Sequence, residues 1–228
     1  MPSNQRNQIQ LTTPKLNNFI SFEGLDGCGK TTQIELLKNS IINSKLNILT
    51  LREPGGTNFG ENLRNAILNS PVKLEPVAEA YLFASSRAQL MKEKIQPALE
   101  DETMVVISDR FIHSSFAYQG HARNLGNEFV LQTHSIEPLN IIPNITFFLD
   151  ISAEESMKRQ KSRSDSQDYF EQEKLSFFKE LRKGYLSSSN YLSSKFIKID
   201  ATKSIELIHQ EIIKALASLD KKYEATLQ

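Results

Sequence analysis

Five short apolar runs punctuate the chain, and the segments between them carry apolar residues at helical spacing. The runs fall at Phe19-Ile20-Ser21-Phe22, 46–51, 104–108, 145–149 and 196–199. Runs of this length that are apolar almost throughout read as strands buried on both faces, the habit of parallel sheets. Ile34, Leu37 and Ile41 predict a helix over 31–43, and further helices are expected over 60–68, 76–99, 127–135 and 177–185. Ser152-Ala153-Glu154-Glu155 is a capping box that starts another. Ile205, Ile208, Ile212, Leu216 and Leu219 mark a last helix ending near Asp220. Strands alternating with helices predict an α/β fold: a five-stranded parallel sheet with helices on both faces. Residues 111–126 break the pattern. Ser114, Ser115, Tyr118, Gln119, Arg123 and two glycines read there as an irregular substrate loop.

The 228 residues suit one globular unit, expected over 19–220. Residues 1–18 are polar, rich in Asn and Gln, and read as a flexible tail; the polar end 221–228 is expected to fray. The first 18 residues lack the apolar segment of a secretory signal, and Arg6 and Lys15 are too few for a transit sequence, so a cytoplasmic location is expected. Twenty-seven basic and 27 acidic residues cancel, without a basic stripe, so neither a nucleic-acid nor a membrane partner is expected. No stretch approaches the ~20 apolar residues of a membrane span. One cysteine excludes an internal disulfide framework.

The first apolar run leads into Gly24-Leu25-Asp26-Gly27-Cys28-Gly29-Lys30-Thr31, which fits G-x-x-x-x-G-K-[ST] between a strand and a helix. Backbone N–H groups of such a loop converge on phosphates, and the following helix adds its positive end. Lys30 is expected at the outer phosphates and the Thr31 hydroxyl at Mg²⁺. Beside a helix N-terminus the Cys28 thiol is open to acidification. The plainer reading, a small residue valued for its backbone N–H, is preferred.

Other candidates stand at strand ends, where open α/β sheets bind ligands. Arg52-Glu53-Pro54-Gly55-Gly56-Thr57 ends the second run, and Asp109-Arg110 ends the third. Asp109 is placed to help hold magnesium or its water shell, and Arg110 to clamp a phosphate through its planar fork. On the helix over 76–99, Phe83 and Arg87 are four apart and share a face, an aromatic surface beside a donor fork that suits a nucleobase. Lys158, Arg159, Lys161 and Arg163 lead into a polar stretch, a cationic lid over about 158–170 expected to close on phosphates.

These motifs together resemble thymidylate kinases of the bacterial type, among the phosphate-loop nucleoside monophosphate kinases. The resemblance runs from Phe19 to about Leu219. It rests on Glu23 through Thr32, Arg52 through Thr57, Phe83 through Arg87, Asp109-Arg110 with Ser114-Ser115, Ala117-Tyr118-Gln119-Gly120, and Ile199-Asp200-Ala201-Thr202. It implies transfer of the γ-phosphoryl group of ATP to dTMP with Mg²⁺, usually in a homodimer. It further implies ATP binding by Gly24, Leu25, Asp26, Gly27, Cys28, Gly29, Lys30, Thr31 and Thr32. Arg52 and Arg110 match the residues that hold the acceptor phosphate, and Asp26 the carboxylate near the sugar 3′-hydroxyl. Phe83 matches the ring that stacks on thymine, Arg87 the donor to its carbonyl, and Ser115 the position at its N3 edge. Tyr118 matches the tyrosine that crowds the 2′ position; Gln119 joins the same set. Asp109 matches the acid associated with magnesium. Residues 25–28 hold no arginine, so the charge-stabilising arginine is expected from the lid, as Arg163 foremost or Arg159. The chain departs from many bacterial relatives in having Asp168-Tyr169 where they show Asp-Arg. The rivals are another monophosphate or deoxynucleoside kinase and a non-catalytic ATP-binding regulator.

Overall fold

The computed structural model describes residues 11–42, 46–161, 169–170 and 172–227. Most of the lid expected over 158–170, including Arg163, lies outside the described residues. Five strands, β1 (Phe19–Glu23), β2 (Asn47–Arg52), β3 (Met104–Asp109), β4 (Ile145–Asp150) and β5 (Lys195–Asp200), form one sheet in the order β2-β3-β1-β4-β5. All four pairings are parallel. Every residue of the central strands β1 and β4 is buried, whereas β2 and β5 at the edges are only partly covered.

Alternation along the central strands divides the interior into two cores. Ile20, Phe22, Val105 and Ile107 point into one, Phe19 and Val106 into the other, as expected of a sheet covered on both faces. Buried polar groups between strands are paired: Ser21 Oγ and Thr146 Oγ1 are 2.8 Å apart, and Asn144 Oδ1 accepts from the Phe19 N–H at 3.0 Å.

The helices are α1 (Lys30–Ile42), α2 (Asn58–Leu68), α3 (Pro76–Leu90), α4 (Gln96–Leu99), α5 (Ile112–Ser115), α6 (Asn127–Thr133), α7 (Ala153–Lys161), α8 (Leu175–Ser188) and α9 (Ile205–Ala217). Thr57 caps α2 by accepting from the Gly60 N–H at 2.9 Å, and Ser152 caps α7 by accepting from the Glu155 N–H at 3.1 Å. The single helix expected over 76–99 is continuous but widens into a π turn at Met91–Ile95 between α3 and α4. That turn precedes Pro97, whose ring lacks an N–H and crowds the carbonyl of Glu93 four residues back.

Three expectations are corrected. Residues 111–126 are not an irregular loop: α5 runs into a π-helical turn at Phe116–Ala122, with Phe116 through Gly120 buried. Glycines and polar residues hid a helix whose polar side chains face the interior. Upstream of Phe19, Thr12 forms a parallel bridge with Ile141, Asn144 Nδ2 donates to Pro14 O at 2.7 Å, and Asn18 is fully buried. Residues 11–18 are therefore seated on the fold through backbone pairing, which composition does not report. At the other end, a 3-10 helix (Lys221–Leu227) replaces the frayed tail. Tyr223 is buried in the first core and its hydroxyl donates to Asn17 O at 2.8 Å, so one aromatic anchors a polar segment.

Candidate active site

β1 ends at Glu23 and α1 begins at Lys30, so the glycine-rich loop spans the gap at the carboxyl edge of the sheet. Gly24 has φ +141°, and a Cβ there would lie 2.5 Å from Leu149 O. Gly27 has φ +79°, and its Cβ would meet the Arg159 Cβ at 2.9 Å. Only glycine fits either position. Lys30, almost wholly buried, extends back over the loop, with Nζ 3.2 Å from Gly24 O and 3.9 Å from Asp26 Oδ1.

Two adjoining cavities open at this edge. One is lined by Gly27, Gly29, Lys30, Thr31, Thr32, Arg52 and Asp109; the other by Phe83, Arg87, Ser115, Tyr118, Gln119 and Phe170. Asp26, Glu53, Arg64 and Arg110 line both. A polar phosphate-loop cavity thus shares one wall with an aromatic pocket.

Arg110 is the centre of that wall. It follows the last residue of β3 in the left-handed region, with φ +69°, a conformation a non-glycine residue keeps only where its surroundings impose it. Nη2 donates to Asp26 Oδ1 at 2.7 Å; Nη1 donates to Gly24 O at 3.0 Å and to the Tyr185 hydroxyl at 2.6 Å. The guanidinium also lies 5.5 Å from the Tyr118 ring centroid. Burial pushes the Asp26 carboxyl up, but the charges of Arg110 and Lys30 outweigh it and hold it below the usual range. The site therefore presents an ionised Asp26 at neutral pH.

Arg87, on α3, is buried and its donors are largely engaged. Nε donates to Glu53 Oε2 at 2.7 Å, Nη1 to Ser115 Oγ at 2.8 Å and to His134 Nε2 at 2.6 Å, and Nη2 lies 2.5 Å from Glu53 Oε2. His134 Nδ1 lies 2.8 Å from Val130 O, which can only accept, so the ring is the neutral tautomer protonated on Nδ1. Of the five guanidinium N–H groups, one on Nη2 is left for a ligand. Ser115 Oγ accepts from Arg87 and keeps its own hydrogen.

Farther along the pocket, Phe83 and Phe170 lie 6.1 Å apart, and Phe170 meets the Tyr118 ring edge-on at 5.2 Å. Behind them, Arg123 donates to Glu79 Oε2 at 3.1 Å and to Glu173 Oε1 at 2.5 Å, and lies over the rings of Phe177, Tyr169 and Phe170. Gln119 Nε2 donates to Glu79 Oε1 at 3.0 Å. Tyr169 accepts from the Leu74 N–H at 3.1 Å.

The sequence candidates Asp26, Lys30, Thr31, Arg52, Phe83, Arg87, Asp109, Arg110, Ser115, Tyr118 and Gln119 all line one cavity or the other. Arg159 does not. It lies against the far side of the loop, donating to Gly27 O at 3.2 Å and to Glu155 Oε1 at 2.7 Å. Against the reactive reading of Cys28, the side chain is buried, and burial pushes its thiol up against the pull of Lys30 and Arg110. Glu53, Arg64 and Phe170 were missed. Arg64 and Leu68 stand four apart on α2 and both face the pocket, a spacing that was available in the sequence.

Asp109 Oδ1 is buried without a hydrogen-bond partner among the described residues, in the cavity that also exposes Thr31. One carboxylate and one hydroxyl with free acceptor oxygens match the sparse protein donor set of a phosphate-bound Mg²⁺.

The thymidylate kinase family model matches residues 22–212. The thymidylate kinase of Thermoanaerobacter sp. (strain X514) is 45% identical over 205 residues, 90% of this chain and 98% of that protein. That of Kosmotoga olearia is 39% identical over 204 residues, 90% and 97% of the two chains. That of Chlorobaculum tepidum is 37% identical over 212 residues, 90% and 99%. A match over nearly the whole chain, on a phosphate loop that shares Arg110 and Asp26 with an aromatic pocket, shows that the chain belongs to the thymidylate kinase family.

Proposed function

We propose that the protein transfers the γ-phosphoryl group of ATP to dTMP, giving dTDP and ADP. The observation that carries this reading is the common wall of the two cavities, where Arg110 and Asp26 stand between a phosphate loop and an aromatic pocket. The loop amides and Lys30 hold the donor phosphates. Arg110 and Arg52 hold the acceptor phosphate, and Asp26 accepts from the sugar 3′-hydroxyl. Phe83 stacks on the thymine; the spare Arg87 N–H donates to a base carbonyl, Ser115 meets the N3 edge, and Gln119 and Tyr118 close the pocket, Tyr118 at the sugar C2′.

Thr31 and Asp109 would hold Mg²⁺, which when bound neutralises phosphate charge. The protein's own work is alignment. A phosphate monoester has a second pKa near ~6, so the attacking oxygen is already ionised at neutral pH and needs no general base. Phosphoryl transfer proceeds through a loose transition state, and fixing acceptor and donor in line supplies most of the acceleration. Arg110 carries positive charge to the wall between the two nucleotides, which supports its part in stabilising the transferring group. Arg163 remains our candidate for the charge-stabilising arginine.

The test is ADP production with ATP and Mg²⁺, with and without dTMP, followed by dUMP, dCMP, dGMP and ribose TMP as acceptors. Turnover that requires dTMP is expected; folded protein without it would overturn the kinase reading, and preference for another acceptor would overturn the substrate.

Among the described residues no helix is long and apolar enough to cross a membrane. Action on the free nucleotide pool supports a cytoplasmic enzyme. A homodimer is supported by an apolar groove between α3 and α6, edged by Tyr81 and Ile136, which are 54% and 66% exposed. Sedimentation velocity distinguishes a dimer from a monomer.

A further inference from the structure

We infer that Glu23 and Tyr185, which line neither cavity, are positioning residues for Arg110, acting through a one-way hydrogen-bond chain that runs from the guanidinium to the Glu23 carboxylate. The inference rests on the reading of Arg110 as the holder of the acceptor phosphate.

The chain has one consistent direction while Glu23 is ionised, above about pH 7. Arg110 Nη1 can only donate, so the Tyr185 oxygen accepts from it at 2.6 Å. Glu23 Oε2 receives the Ser114 hydroxyl at 2.6 Å, so the Ser114 hydrogen is committed. Tyr185 O–H and Ser114 Oγ are 2.9 Å apart, and the remaining hydrogen is that of Tyr185, which donates to Ser114. Arg110, Tyr185, Ser114 and Glu23 thus form a sequence of donors ending on an acceptor. Glu23 Oε1 is held as well, accepting the N–H groups of Phe111 at 2.8 Å and Ser114 at 3.2 Å. The carboxylate thereby fixes the first turn of α5, which carries Ser115 toward the pocket. Glu23 and Tyr185 are both fully buried, and Tyr185 stacks on Phe148 at 5.3 Å. Water has no access to substitute for either group.

This frame explains how Arg110 keeps a left-handed backbone and an extended fork at once. Asp26 restrains Nη2 from the solvent side and Tyr185 restrains Nη1 from the core. Glutamine at position 23 still accepts through Oε1 but must donate from Nε2 to Ser114 Oγ. The Ser114 and Tyr185 hydroxyls would then have no carboxylate to end on, and whichever way they turn one buried hydrogen is left without an acceptor.

The experiment, run at about pH 8.5 where Glu23 is ionised, compares wild type, Glu23→Gln and Tyr185→Phe by calorimetric affinity for dTMP and for thymidine, which lacks the phosphate, together with KM for each substrate. Wild type binding dTMP no tighter than thymidine would overturn the reading of Arg110 on which the inference stands. Given a phosphate preference in wild type, both variants are expected to lose about tenfold or more in dTMP affinity, the scale of one charge-assisted hydrogen bond, with thymidine affinity and KM for ATP within about twofold. Tyr185→Phe keeps the ring and its stacking, so it decides the matter if Glu23→Gln does not fold. A parallel loss of dTMP and thymidine binding in Tyr185→Phe, or no loss of either, would overturn the inference.

Discussion

Glu53 and Arg87 are joined inside the protein through a single carboxylate oxygen, Oε2, which receives Nε at 2.7 Å and lies 2.5 Å from Nη2. Glu53 stands at the carboxyl end of β2 and Arg87 four residues beyond Phe83 on α3, so this pair fixes the guanidinium fork relative to the sheet. Burial pushes Glu53 up against the charge of Arg87, the mark of a carboxylate held in place by one partner. Glu53→Gln keeps one acceptor but leaves the guanidinium without a buried counter-charge. It is expected to destabilise the fold by about 2–3 kcal/mol in urea titrations and to weaken dTMP binding more than ATP binding. Unchanged midpoints would show that the pair contributes nothing net.

The strands, the phosphate loop and the pocket-facing positions of α3 were legible because each carries a periodic or motif signal in adjacent residues. Glu53 was not. Its motif showed a charged pair at a strand end, yet Arg52 faces outward at 56% side-chain exposure while Glu53 turns inward to a residue 34 positions away. The turn over 116–122 was hidden for a related reason. Gln119 and Arg123 read as loop residues until Glu79, buried on α3, supplies their partner. Polar residues satisfied by long-range partners carry no local signal, and Tyr223 and Asn18 are instances of the same limit.

Among the described residues, Asp26 is the one carboxylate that lines both cavities and pairs with Arg110. Asp26→Asn keeps the shape and removes the charge opposite Nη2, so kcat/KM for dTMP should fall by about tenfold to a hundredfold, roughly 1.4–2.7 kcal/mol. Because Arg110 and Lys30 hold the acid low, the wild-type rate should show no titration of this group above about pH 5. Steady-state kinetics from pH 5 to 8 measure both effects.

Cys28 is 2% exposed and its thiol is pushed up by burial, so the folded enzyme should resist alkylation. Iodoacetamide at pH 7.5, followed by intact-mass analysis, is expected to leave most of the protein unmodified over an hour, with and without ATP. Rapid labelling blocked by ATP would restore the acidified-thiol reading.

Two buried histidines contribute to the response to acid. Burial lowers His113 to about 3, and burial reinforced by the charge of Arg87 lowers His134 to about 3. Both are neutral in the folded state, whereas in the unfolded chain each takes up a proton near pH ~6.5. The unfolded state therefore binds more protons between these limits. The stability they contribute is complete above pH ~6.5 and is lost as the pH falls toward about 3. Glu23 acts in the opposite sense. Burial raises it from 4.5 to about 7, so its contribution is complete below pH 4.5 and is lost as the pH rises through 7. Each group alters the slope by about 1 kcal/mol per pH unit within its window. His113 lies outside the substrate cavities, with Nδ1 2.7 Å from Ser188 Oγ, so His113→Gln can keep that donor while removing the titration. Urea unfolding at intervals from pH 4 to 7 should show wild type losing stability with acid more steeply than His113→Gln, by about 1 kcal/mol per pH unit. Parallel curves for the two proteins would mean that His113 is not kept neutral by its burial.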